Sequence, residues 1–150
     1  MAYITTTQLS ARLGSTLYAR LTDRVGGTTA DETVAAEIVA QAEALANAYL
    51  ARRFATPVDL AAHPELADVL RARVLDVAEY LAWRDSPFVT DVPERVRMVH
   101  ADAQEWFAAV AAGTLDLPAS SPPASRTAVD DSPRYAAGPR KFTADELDGL

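Results

Sequence analysis

The sequence contains no cysteine, which excludes disulfide cross-links and thiolate metal sites and suits, without requiring, a reducing compartment. Histidine is nearly absent, with only His63 and His100. No apolar run approaches the roughly 18–20 residues of a membrane-spanning helix. The opening Met1-Ala2-Tyr3-Ile4-Thr5-Thr6 has neither the basic nor the apolar region of a secretion signal, so the expectation is a protein soluble where it is made. Positive charge is in short supply: the formal net charge is −7. Residues 1–118 carry 10 basic and 16 acidic side chains, and residues 119–150 carry 4 and 5. An acidic body is repelled by phosphate backbones, which argues against tight nucleic-acid binding yet lets DNA pass close by.

What is present fits one helical domain. At 150 residues, 49% of them apolar, the chain is long enough to bury a core. Alanine supplies much of that fraction, so large side chains must carry most of the buried area. Thr5 and Gln8 have capping-box spacing and Ile4 and Leu9 the spacing of a hydrophobic staple, which predicts a first helix ending at Gly14. A short second helix around 15–21 places Leu17, Tyr18 and Leu21 on one face, and Val25-Gly26-Gly27 reads as a flexible break. Thr29 and Glu32 form another capping box, opening a long helix to about Arg53 with Val34, Ile38, Ala42, Leu45 and Tyr49 at helical period. Pro57 ends that stretch.

Pro64 starts a third main segment, with Leu66, Val69, Leu70, Val74, Val77, Tyr80 and Leu81 on its apolar side and Asp85-Ser86-Pro87 as its stop. Pro93 and Glu94 open the next, carrying Val96, Val99, Ala103, Phe107 and Val110 up to Gly113. No alternating strand pattern competes. The expected fold is all-α: a bundle of three main helices plus a short N-terminal pair over residues 1–117.

Beyond Leu117 the composition changes. Five of the nine prolines fall between Pro118 and Pro139, which predicts an extended linker over 118–139 with no core of its own. Residues 140–150 then repeat the opening device, with Thr143 and Glu146 as a capping box and Phe142 and Leu147 as a staple. So short a helix is marginal alone in water. Arg140, Lys141, Phe142, Leu147 and Leu150 therefore read as the anchors of a docking segment at the end of a long arm. A neighbouring protein is the favoured receiver, and return onto its own bundle, as in a stand-alone binding or regulatory module, is the alternative.

The chemistry of catalysis is hard to find. His100 stands two and five residues from Asp102 and Glu105, not the three or four at which helical ligands converge. No Gly-x-Ser-x-Gly elbow occurs, and Gly26-Gly27 lacks the lysine and spacing of a phosphate loop. Acid pairs such as Asp68 with Asp76, and Asp102 with Glu105, read as solvated helix faces. Trp83 and Trp106-Phe107 read as packing aromatics. Arg52, Arg53, Arg71 and Arg73 sit among carboxylates and read as candidates for ion pairs between subunits. No cofactor, metal or catalytic residue is expected.

Taken together, these landmarks resemble the Mu-like phage neck proteins. Tyr3-Ile4-Thr5 with Leu9, Gly14 and Leu21-Thr22-Asp23 is similar to that family's opening. Ala48 through Phe54 with Pro57 resembles its central tyrosine–leucine–arginine signature, although Phe54 replaces the usual tyrosine and Asn47-Ala48 an acidic–glycine pair. Ala103 to Phe107 with Gly113 and Leu117 resembles its last body helix, and Arg140-Lys141-Phe142-Thr143 with Leu147 and Gly149 its terminal motif. The resemblance implies a structural subunit of a head–tail connector in the virion neck, assembled in the host cytoplasm. It also implies a homo-oligomeric ring of about twelve copies. Its partners would be the portal protein and neighbouring neck and tail proteins, around a channel through which DNA passes.

Overall fold

The computed structural model describes residues 2–117. The linker, the terminal short helix and the anchor residues Arg140, Lys141, Phe142, Leu147 and Leu150 lie outside them. Five helices follow in order: α1 (Thr6–Leu13), α2 (Ser15–Thr22), α3 (Glu32–Leu50), α4 (Pro64–Asp85) and α5 (Glu94–Ala112). The fold is all-helical, with no strand among the described residues. α3, α4 and α5 pack against one another, and α1 and α2 lie across α3 and α4.

The α1 signals operate as read. The Thr5 hydroxyl accepts from the Gln8 N–H, and the Gln8 side chain accepts from the Thr5 N–H. Ile4 and Leu9 of the staple are both fully buried. Between the three long helices, Ala35, Ala42, Ala46, Ala78, Ala82 and Ala103 are all buried completely, which lets the backbones approach closely. Leu50, Leu70, Val74, Val77, Phe107 and Val110 fill the space between them. Tyr49 stacks 6.1 Å from the Phe107 ring and Trp106 meets it edge-on at 5.1 Å, so these aromatics do pack the core.

Four sequence expectations need correction. The cap of α3 is Asp31, whose carboxylate accepts from Thr33 and Val34. Thr29 cannot close its own box because its N–H already donates to Asp23. α3 stops at Leu50, not near Arg53: Arg52 and Arg53 bond back to Tyr49 and Leu50 in a tightened last turn, which swings Phe54 into the core. Val69 is 44% exposed while Leu66, Ala67 and Leu70 around it are buried, because it falls off the face that α4 turns to the core. The segment after Asp23 is held by four hydrogen bonds and is not a loose break.

At the far end α5 closes on Gly113, with φ +82°, a left-handed conformation suited to glycine. A methyl group there would meet the Arg53 guanidinium at 3.1 Å. Arg53 in turn pairs with Asp116 at 2.8 Å, and Leu117 packs against the core. The last described residues are thus tied back to the end of α3.

Candidate assembly surface

The charged residues of the body do more structural work than their sequence positions suggest. Arg12, in the last turn of α1, reaches α4: its Nε donates to Glu79 at 2.7 Å and its Nη2 to Asp76 at 2.6 Å. The two carboxylates are 7% and 10% exposed. Arg73 lies 3.7 Å from the second oxygen of Asp76, and Arg95 of α5 donates to the second oxygen of Glu79. Burial pushes the Asp76 pKa up, with Arg12 and Arg73 opposing the shift and Glu79 adding to it. For Arg12, burial works against the charged form, yet its bonds to Glu79 and Asp76 carry its pKa upward. Asp76 is therefore no solvated helix-face acid; it belongs to a cluster joining α1, α4 and α5.

A second set of contacts fixes the N-terminal strand of chain. Glu43 on α3 accepts from the N–H of both Tyr3 and Ile4, at 2.5 and 3.1 Å. The Tyr3 hydroxyl donates to Asn47 at 2.6 Å and accepts from the Val58 N–H at 2.8 Å. Asn47 thus offers the hydroxyl an oxygen acceptor on α3. Burial raises the Tyr3 pKa, so the hydroxyl keeps its proton.

Leu21-Thr22-Asp23 forms the third. The Thr22 hydroxyl donates to the Tyr18 carbonyl and accepts from the Asp31 N–H. One Asp23 oxygen accepts from Val25 and Gly26, the other from Thr28 and Thr29, all within 2.8–3.1 Å. Those bonds, led by Val25, hold its pKa far below the usual carboxylate range. A depressed folded-state pKa contributes stability present above the unfolded pKa of about 4 and lost as pH falls through the folded one. Asp23→Asn is expected to lower the melting temperature at pH 7 by several degrees. It also flattens the loss of stability between pH 5 and pH 3, as read by thermal circular dichroism. A variant with the wild-type acid limb would show that the loop owes nothing to this carboxylate.

The surface arginines have partners within the chain. Arg53 pairs with Asp116, Arg71 with Asp68 at 3.4 Å and Arg73 with Asp76; Arg52 forms no ion pair among the described residues. His100 stacks face to face on Tyr80 at 3.8 Å, and burial, helped by the Arg84 charge, lowers its pKa. No group of three or more potential metal ligands occurs among the described residues.

One apolar hollow opens at the surface where α2 meets the α4–α5 connection. Leu17, Arg20, Trp83, Phe88, Val89 and Thr90 line about 160 Å³. A second hollow of about 140 Å³ adjoins it across Trp83, Val89 and Thr90. The Trp83 indole N–H is buried without an acceptor among the described residues. Sequence reading singled out Trp83 but not this groove, whose walls stand more than sixty residues apart.

Among the described residues the body is all-helical, and its buried charges join its own helices. The chain belongs to the bacteriophage Mu Gp36 family, whose model matches residues 3–132; it is a phage structural or assembly protein. The match takes in Tyr3, Leu21-Thr22-Asp23 and the Ala48–Pro57 stretch and ends before Arg140. No curated protein matches the chain. No helix among the described residues is long and apolar enough to cross a membrane.

Proposed function

We propose that this chain is a structural subunit of a phage head–tail connector, a ring of about twelve copies beneath the portal, and that it has no enzymatic role. Membership of a phage Mu structural family over most of its length carries the reading. Residues 1–117 are the ring-forming body, 118–139 the spacer and 140–150 the segment that grips a neighbour through Arg140, Lys141, Phe142, Leu147 and Leu150. The acidic body supports a channel wall to which DNA does not adhere. Arg53 and Arg71 can trade exposed carboxylates of their own chain for those of an adjacent copy, pairs each worth little by themselves, and Arg52 and Arg73 can add contacts across the same interface.

Co-expression with the portal protein of the same phage tests the reading. The full chain is expected to co-purify with portal and to form rings visible by electron microscopy. Deletion of residues 140–150 is expected to reduce the recovered complex about tenfold, as loss of an anchored arm removes its contribution to avidity. Undiminished recovery would sink the gripping role of the arm, and a full chain that ignores portal would sink the connector.

A further inference from the structure

The N-terminal segment joins the rest of the body through a single residue. α1 ends and α2 begins on Gly14, at φ +80° and ψ 151°, a backbone conformation open essentially to glycine alone. A methyl group at Gly14 would meet no atom within 4 Å, so glycine is needed there for its backbone angles and not for room. No side-chain hydrogen bond caps the start of α2. In an unbroken helix the N–H groups of Ser15, Thr16 and Leu17 would donate to the carbonyls of Ala11, Arg12 and Leu13; at the bend they make no such bonds. The apolar period nevertheless runs straight through. Leu9, Leu13, Leu17 and Leu21 follow at intervals of four residues, the spacing of one helical face. Leu13 and Leu17, on either side of the bend, are only half-buried.

What holds the bend is the docking of residues 3–13 on the body. Ile4 and Leu9 are buried in the core, Glu43 accepts from the Tyr3 and Ile4 N–H groups, the Tyr3 hydroxyl bridges Asn47 and Val58, and Arg12 pairs with Asp76 and Glu79. Each of these polar contacts is made with α3, α4 or the connection between them. The seat therefore recognises the chemistry of the segment and not the chain that supplies it. Only the turn at Gly14 directs the segment back onto its own body.

We infer that residues 2–13 exchange between copies: Gly14 straightens, α1 and α2 become one helix from Thr6 to Thr22, and the segment docks in the same seat on a second copy of this chain. The joined helix would be about 25 Å long, which carries Tyr3 and Ile4 off their own body. The exchange rebuilds every docking contact between copies and adds three backbone hydrogen bonds at each straightened hinge. Proximity opposes it, since a segment tethered beside its own seat has the advantage in dilute solution. Short hinges invite such swaps. Glycine keeps the balance, because it takes the bend without strain and is a poor helix former. Reciprocal exchange closes a dimer, and head-to-tail exchange links successive copies. Segment exchange does not depend on the connector reading.

Gly14→Ala in the full chain tests it, because alanine favours helix and takes φ +80° only with strain. The substitution is expected to raise the association constant at least about tenfold over wild type, read by size-exclusion chromatography with light scattering. In the associated form, hydrogen exchange at Thr16 and Leu17 is expected to slow as the helix closes over the hinge. Val58 is expected to stay protected, because a Tyr3 hydroxyl still fills the seat. Adding Arg12→Ala is expected to return the population toward monomer, since the exchanged contact loses its ion pairs. A second comparison leaves the bend unstrained: wild type is expected to associate as its concentration rises, and a chain with Gly-Ser-Gly-Ser inserted after Gly14 to remain monomeric under the same conditions. A Gly14→Ala chain that is monomeric and merely less stable would overturn the exchange. So would association with Val58 unprotected or Thr16 and Leu17 still exchanging, association undiminished by Arg12→Ala, or an insertion variant that associates as readily as wild type. Portal recovery is scored separately: exchange without portal binding discards the connector alone, and portal binding by a chain whose segment never exchanges discards the exchange alone.

Discussion

Arg12→Ala is expected to destabilise the body by about 3 kcal/mol, although the arginine lies on a helix at the protein surface. Removing one partner of a buried ion pair typically costs 3–5 kcal/mol because a charge is left unmatched. Here Asp76 and Glu79, each at most 10% exposed, lose their nearest partner and keep only Arg73 at 3.7 Å and Arg95 at 3.2 Å. The lower end of the range applies because the Arg12 side chain is 27% exposed and water can partly take its place. The pH dependence follows from Asp76, whose pKa burial already raises. An acid with a raised folded-state pKa carries a penalty for being ionised, present above that pKa and relieved as pH falls. Without Arg12 the penalty grows, so the deficit measured by urea unfolding is expected to be smaller at pH 5 than at pH 7. A deficit of equal size at both pH values would mean that lost packing, not uncompensated charge, is responsible.

Tyr3→Phe removes a single oxygen and is expected to cost about 2 kcal/mol. The hydroxyl is the acceptor for the buried Val58 N–H and the donor to Asn47. Phenylalanine keeps the ring but leaves that N–H unpaired, a loss of about 1–3 kcal/mol. Asn47→Ala is expected to cost less, because the hydroxyl still accepts from Val58. A double-mutant cycle between the two isolates their shared bond. Hydrogen exchange at Val58 is the specific readout, and protection there surviving in Tyr3→Phe would refute the bridge.

Both substitutions act on contacts that no local pattern announces. Capping boxes, staples and proline starts are written within five residues, and α1, α4 and α5 were legible for that reason. The Arg12 cluster spans 64 and 67 positions and the Tyr3 bridge 44 and 55. In sequence, Arg12 looks like an ordinary last-turn cation and Asp76 like a solvated acid. The misread cap of α3 has the same origin: Thr29 and Glu32 satisfy the spacing rule, but Asp23, six residues upstream, had already claimed the amide that the box requires. The groove was hidden more deeply, since neither wall is periodic and only Trp83 stands out by size. The resemblance to a Mu-like phage family agrees with the family match over residues 3–132, since it used the order of landmarks along the chain, which survives when individual contacts cannot be seen.

The closing turn of the body has a mechanical meaning. Gly113 reverses the chain against Arg53, Asp116 clips it to the end of α3, and Leu117 is pressed into the core. Such an arrangement is a bracket and not a swivel: the described chain ends at one fixed point. In the ring proposed above, those points would form an evenly spaced crown.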